Sequence, residues 1–218
     1  MNEIKLTRKQ FDVLVCMEKN PNGMTQRELA EATNMSLGSA NRALNSLNDL
    51  GLVDKKGLTS LAFETLEPYR VKRAIFLAAG FGHRLAPISL NTPKPLVRVK
   101  GTRIIDTLLN AVVKAGIEEI YIVRGYLGEQ FDQLKYKYPN IKFLENPIYN
   151  ESNNISSAMC ARHLMERAYV LEADLILYNT DLIEKYQYTS NFLGVPVTTT
   201  DDWCCETKNN IITKFKVG

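Results

Sequence analysis

Residues 77–96 read LAAGFGHRLAPISLNTPKPL, a stretch dense in groups that handle anions. Leu77 closes an apolar run and is followed by Ala78, Ala79, Gly80, Phe81 and Gly82, where small side chains let backbone N–H groups approach an anionic ligand closely. Arg84 adds a planar fork of donors matched to phosphate oxygens. Lys94, held between Pro93 and Pro95, is a point charge on a rigid, extended segment. A glycine-rich loop alone is weak as a signal. Paired with an arginine and a lysine at these spacings, it reads as a loop built to cradle phosphates.

Three further groups could complete a site. Asp174 ends the run Leu171-Glu172-Ala173-Asp174 behind a predicted strand. A carboxylate there suits Mg²⁺, which takes one or two carboxylates together with phosphate oxygens and waters. Without the loop upstream, Asp174 would read as a helix cap or turn residue. Val123-Arg124-Gly125-Tyr126 and residues 150–157 (NESNNISS) offer backbone and amide groups at two more strand ends. Asn153, Asn154, Ser156 and Ser157 can fix a pyrimidine base or a ribose, and Asn154 or Ser156 can equally start the helix that follows. His83 and His163 lack the Cys or Ser partner and the orienting carboxylate of a nucleophilic site, so both are read as structural.

These groups need a scaffold. Residues 73–77 (RAIFL) form an apolar run bounded by glycine, the mark of a strand buried on both faces. Behind it the pattern predicts a helix over 104–115 ending at Gly116, a strand over 120–123, a helix over 128–137, a strand over 141–144, a helix over 156–166 and a strand over 168–171. Alternating strands and helices imply an α/β fold with a mostly parallel sheet, whose sites lie at the carboxyl ends of the strands. The segment before residue 70 differs. Thr7 caps a helix containing Phe11, Val13, Leu14 and Met17, Asn20-Pro21-Asn22-Gly23 stops it, and Thr25-x-x-Glu28 is a capping box for a short second helix. Ser36 caps a third, and residues 51–63 read as a small two-stranded wing. Residues 67–70 (EPYR) are the expected joint between the halves.

Composition sets outer bounds. The 218 residues are 45% hydrophobic and 23% charged, an average globular balance for one to two domains and incompatible with a disordered chain. The apolar stretch at 74–82 is under half of the roughly 18 residues a membrane span needs. The first ten residues carry no apolar signal region, which gives a cytoplasmic expectation and no membrane partner. Cys16, Cys160, Cys204 and Cys205 have no metal-type spacing and read as free thiols. The net charge is +3, but residues 1–70 hold nine basic and nine acidic side chains and are neutral. Arg42 is the only cation on the third helix, among Ser39, Asn41, Asn45 and Asn48. Duplex DNA through residues 1–68 is therefore not the favoured partner.

Two resemblances follow. Residues 1–68 resemble a winged helix-turn-helix domain of the MarR-like kind. Residues 77–96 match the nucleotidyltransferase signature L-A-A-G-x-G-x-R-L-x-P-x-T-x-x-x-P-K-P-L at nearly every defined position, with Ser89 where threonine is usual. The resemblance extends over 72–218, well at its start and thinly after Asp181. It implies a Rossmann-like α/β/α sheet, a loop that holds a nucleotide triphosphate, Arg84 and Lys94 as the catalytic cations, and Asp174 as the ligand of a Mg²⁺ cofactor. It assigns the nucleotide to Leu77, Ala78, Ala79, Gly80, Phe81, Gly82, Gly125, Tyr126, Asn154, Ser156 and Ser157. The GYL-x-EQ, NN-x-SS and EAD runs together look like bacterial CTP:phosphocholine cytidylyltransferases. That likeness implies CTP and phosphocholine as substrates and places the choline head group against Trp203, with Asp202 beside it. Tryptophan is the best cation–π partner for a quaternary ammonium, while a core or rim tryptophan is the plainer reading. In related chains further strands and a second acidic metal ligand follow, so the domain over 72–218 is expected to be truncated at its carboxyl end. A sugar-1-phosphate nucleotidyltransferase, or a winged-helix regulator with CTP or CDP-choline as effector, are the alternatives. A homo-oligomer is compatible with either.

Overall fold

The computed structural model describes residues 4–217. The chain divides into two compact units, Met1–Tyr188 and Thr189–Gly218.

The first unit opens with three helices, α1 (Arg8–Lys19), α2 (Gln26–Ala32) and α3 (Leu37–Asp49). Thr7 and Thr25 each close a full capping box, with Gln10 and Glu28 reaching back to the cap backbone, and Ser36 accepts from the Ser39 N–H. Asn34 turns the chain between α2 and α3 at φ +52°, a left-handed conformation that asparagine tolerates. The wing is smaller than expected. Strands β1 (Val53–Asp54) and β2 (Gly57–Leu58) pair antiparallel, and residues expected to extend the second strand instead form helix α4 (Ser60–Leu66). Ala62 and Leu66, four apart, are its buried positions, so a helical period overrides the strand reading.

A 3-10 turn, Glu67–Tyr69, joins this module to a four-stranded parallel sheet. Its strands are β3 (Arg73–Leu77), β6 (Glu119–Arg124), β7 (Ile141–Glu145) and β8 (Ala168–Glu172), in spatial order β7-β6-β3-β8. The short antiparallel pair β4 (Arg98–Val99) and β5 (Thr102–Arg103) leads into helix α5 (Ile104–Lys114). Both faces of the sheet are covered, as continuous apolar strands require. Ala74, Phe76, Ile120 and Ile122 pack against Ile105, Leu108, Leu109 and Val112 of α5 and against Phe131 and Leu134. Ile75, Tyr121 and Val123 on the other face pack against Ala161 of helix α6 (Asn154–Ala161).

Two predicted helices differ in form. Gly128–Tyr136 is a 3-10 helix, and its buried residues Gly128, Phe131 and Leu134 recur every three positions, the period at which a 3-10 helix stacks side chains on one face. The helix expected over 156–166 starts earlier, on the Asn153 cap, and gives way to a 3-10 turn, Arg162–Leu164.

The joint at Glu67–Tyr69 is packed. Tyr186 is 5% exposed and belongs to the winged-helix core with Leu6, Phe11, Leu14 and Leu66. Phe11, Tyr69 and Tyr188 cluster at 5.1–5.7 Å between centroids, the two tyrosines stacked and Phe11 tilted against both. Val71 donates to the Lys185 carbonyl and Gln187 to the Tyr69 carbonyl, both at 2.9 Å. Lys185 pairs with Glu18 and Lys19 with Glu184, each at 2.5 Å.

The second unit is a hairpin of β9 (Trp203–Lys208) and β10 (Ile211–Val217), turned at Asn209 and Asn210, both at positive φ. Among the described residues, no helix is long and apolar enough to cross a membrane, and the four cysteines are free.

Candidate active site

Strand β3 leads in sequence and lies inside the sheet, so the chain leaves it toward β6 and β7 on one side and returns to β8 on the other. Such a switch of direction opens a crevice at the carboxyl ends of the strands, where ligands of open α/β sheets bind. The loop over residues 78–82 follows β3, and Asp174 follows β8. Register pairs Leu77 with Val123 and with Glu172, which fixes all three strand ends at one level.

A cleft of ≈ 90 Å³ lies there, lined by Leu77, Ala78, Gly80, Gly82, Lys94, Pro95, Asn154, Glu172 and Asp174. Seven of these are residues that sequence singled out. Gly82 makes the turn at φ +68°, and a Cβ on it would come within 3.1 Å of Lys94 Cβ. Glycine is needed here for both backbone conformation and close approach. Lys94 arrives on a 3-10 turn, Lys94–Leu96, behind Pro93, and donates from Nζ to Asp174 Oδ2 at 2.5 Å. Ser89 is 3% exposed beneath the same turn.

Of the expected residues, Ala79, Phe81, Arg84, Gly125, Tyr126, Ser156, Ser157, Asp202 and Trp203 fall outside the cleft lining. Ala78 lines the wall while its N–H donates to the Val123 carbonyl at 2.8 Å. Ala79 is buried and accepts from the Tyr126 N–H. Arg84 stands exposed in the turn His83–Leu85. Phe81 packs against Tyr126, Tyr149 and His83. Ser156 and Ser157 are buried, and both hydroxyls accept from Asn146 Nδ2, at 2.9 and 3.1 Å. Asn154, one turn earlier, reaches the cleft and donates to Glu172 at 3.2 Å. Trp203 and Asp202 lie in the separate hairpin unit, where Trp203 is 73% exposed and its N–H donates to Asp202 Oδ1.

Sequence reasoning missed two participants. Glu172, the last residue of β8, shares the wall with Asp174 in the turn that follows, and its place at the carboxyl end of a strand was the signal that could have found it. Tyr149 lies directly on Gly125, whose added Cβ would meet three of its atoms at 2.6–2.7 Å. No local pattern points to that contact.

Comparison with known proteins agrees with this architecture. Residues 73–192 match the Nucleotidyl transferase family and residues 4–58 the MarR family. The chain belongs to the nucleotidyl transferase family, with a MarR-like winged helix at its amino terminus. It is 43% identical over 123 residues to a 2-aminoethylphosphonate cytidylyltransferase of Lancefieldella rimae, covering 56% of this chain and 50% of that one. It is 41% identical over 106 residues to a choline-phosphate cytidylyltransferase of Streptococcus pneumoniae, covering 49% and 46%. The solved structure of the CTP:phosphocholine cytidylyltransferase LicC from Streptococcus pneumoniae superposes with TM-score 0.62 at 33% identity, covering 68% of this chain and 64% of that one. The chain spans about half the length of the curated relatives it matches.

Proposed function

We propose that the chain carries a cytidylyltransferase core that transfers CMP from CTP to phosphocholine, giving CDP-choline and pyrophosphate. The observation that carries this reading is the cleft that gathers the glycine turn, Lys94, Asn154 and Asp174 at the switch point of the sheet. A phosphate oxygen of the acceptor attacks the α-phosphorus of CTP in line, the new P–O bond forms as the bond to pyrophosphate breaks, and no covalent enzyme intermediate is needed. Loop amides receive the triphosphate, while Lys94 and the exposed guanidinium of Arg84 neutralise its charge. Asn154 would hold the nucleoside on the side of α6.

Mg²⁺ fits the donor set. Asp174 offers carboxylate oxygens at the cleft, where an incoming triphosphate would add further oxygens. That is the arrangement of an ion completed by substrate phosphates and waters. Bound on Asp174, Mg²⁺ would supply further neutralisation of phosphate charge.

The acceptor reading is supported by chemistry shared by two of the relatives, whose named acceptors each join an anionic phosphorus centre to a cationic nitrogen. An aromatic face and a carboxylate are the groups that would hold that nitrogen. The test measures pyrophosphate release from CTP and Mg²⁺ with phosphocholine, 2-aminoethylphosphonate or glucose 1-phosphate. Turnover is expected with phosphocholine, and Lys94→Ala is expected to lower kcat/KM by about a hundredfold or more. Equal turnover by wild type and Lys94→Ala, or product from the sugar phosphate alone, would sink the reading.

A further inference from the structure

Tyr126 follows β6 and meets the phosphate loop at three points. Its N–H donates to the Ala79 carbonyl at 3.1 Å, before the glycine turn. Its ring lies 4.5 Å from that of Phe81, inside the turn. Its hydroxyl donates to the Leu90 carbonyl at 2.9 Å, beyond the turn. Gln130 continues the same seam, donating from Nε2 to the Asn91 carbonyl at 2.9 Å. Phe81 is braced further by Tyr149 at 5.4 Å and His83 at 5.0 Å.

A loop containing Gly80 and Gly82 has much conformational freedom to lose when it receives a triphosphate. Holding it on both flanks beforehand moves that ordering cost from the binding step into folding. The single hydroxyl proton of Tyr126 is spent on Leu90, so the side chain has no donor left for a base or a ribose.

We infer that Tyr126 is a positioning residue, a three-point clamp that sets the shape of the phosphate loop and donates nothing to the nucleoside. This rests on the nucleotidyl-transfer reading of the cleft, and the two can fail separately. The probes are inorganic tripolyphosphate, which has no base or ribose, and CTP, each titrated calorimetrically into the full chain as wild type, Tyr126→Phe and Tyr126→Leu.

The clamp predicts that Tyr126→Phe weakens both ligands by the same factor, about threefold to tenfold for one lost hydrogen bond, and raises KM for CTP while kcat holds. Tyr126→Leu, which also loses the ring, should weaken both further. Tyr126→Phe keeps the fold-bearing ring, so its result stands even if Tyr126→Leu fails to fold. Weaker CTP binding with unchanged tripolyphosphate binding would mean a direct nucleoside contact and would overturn the clamp. Unchanged affinity for both would overturn it as well. A wild-type protein that binds neither probe would remove the transfer reading, and the clamp with it.

Discussion

Gly82 shows how tightly single residues are constrained at the cleft. Its φ of +68° costs a side-chain-bearing residue about 1–2 kcal/mol, and the added Cβ would press on Lys94. Gly82→Ala is therefore expected to weaken CTP binding about tenfold or more while the chain stays folded, which titration alongside circular dichroism would check. A variant that bound CTP as tightly as wild type would show that the turn tolerates a side chain there. The loop residues were legible in sequence because their chemistry is local: small residues, a fixed lysine and an arginine declare themselves by type and spacing. Ser156 and Ser157 were not, because polar side chains suited to a base are equally suited to Asn146, and only the packed structure decides which partner they meet. Glu172 was legible in principle, as the residue that ends a strand at the carboxyl edge of the sheet.

Among elements, β3 and β6 are tied together at the end away from the cleft. Arg73 opposes Glu119 in register and its Nε donates to the Glu119 carboxylate at 2.9 Å. That hydrogen bond, aided by the Arg73 charge, Tyr121 and Lys142, holds the Glu119 carboxyl below its usual range against the opposing effect of burial. A carboxylate whose folded pKa is depressed stabilises the fold above its unfolded pKa of about 4.3, and the contribution fades as pH falls below that value toward the folded pKa. Urea unfolding at pH 7 is expected to find Glu119→Gln less stable than wild type, with the gap narrowing at pH 3.5. A gap that is constant with pH would remove the ion pair as its cause. Strands and helix caps were readable from sequence, since apolar runs and Thr-x-x-Gln/Glu boxes act within a few residues. The α4 helix and the 3-10 form of Gly128–Tyr136 were harder, because a short segment's form is settled by which surface it must cover.

At the scale of the molecule, the winged helix and the sheet are joined through a strap at residues 183–188. Tyr186 fills the winged-helix core, Tyr188 stacks on Tyr69 and meets Phe11 at a tilt, and Tyr188 also donates from its hydroxyl to the Leu6 carbonyl at 3.0 Å. Two lysine–glutamate pairs flank them, Lys19–Glu184 at the surface, where such pairs add little, and Lys185–Glu18 partly buried. None of this was visible in sequence, because the strap lies far along the chain from its partners and has no motif. A fragment of residues 1–68 is expected to unfold at markedly lower temperature than the same helices within residues 1–188, and Tyr186→Ala in the longer chain should lose about 2–4 kcal/mol in urea unfolding. Equal melting of the two would show that the helices carry their own core.

The strap also bears on synthesis. Domains are generally completed in the order the ribosome makes them. Tyr186 belongs to the core of the helices made first but follows the last strand of the parallel sheet in the chain, so that core has all its residues only once 183–188 have been made.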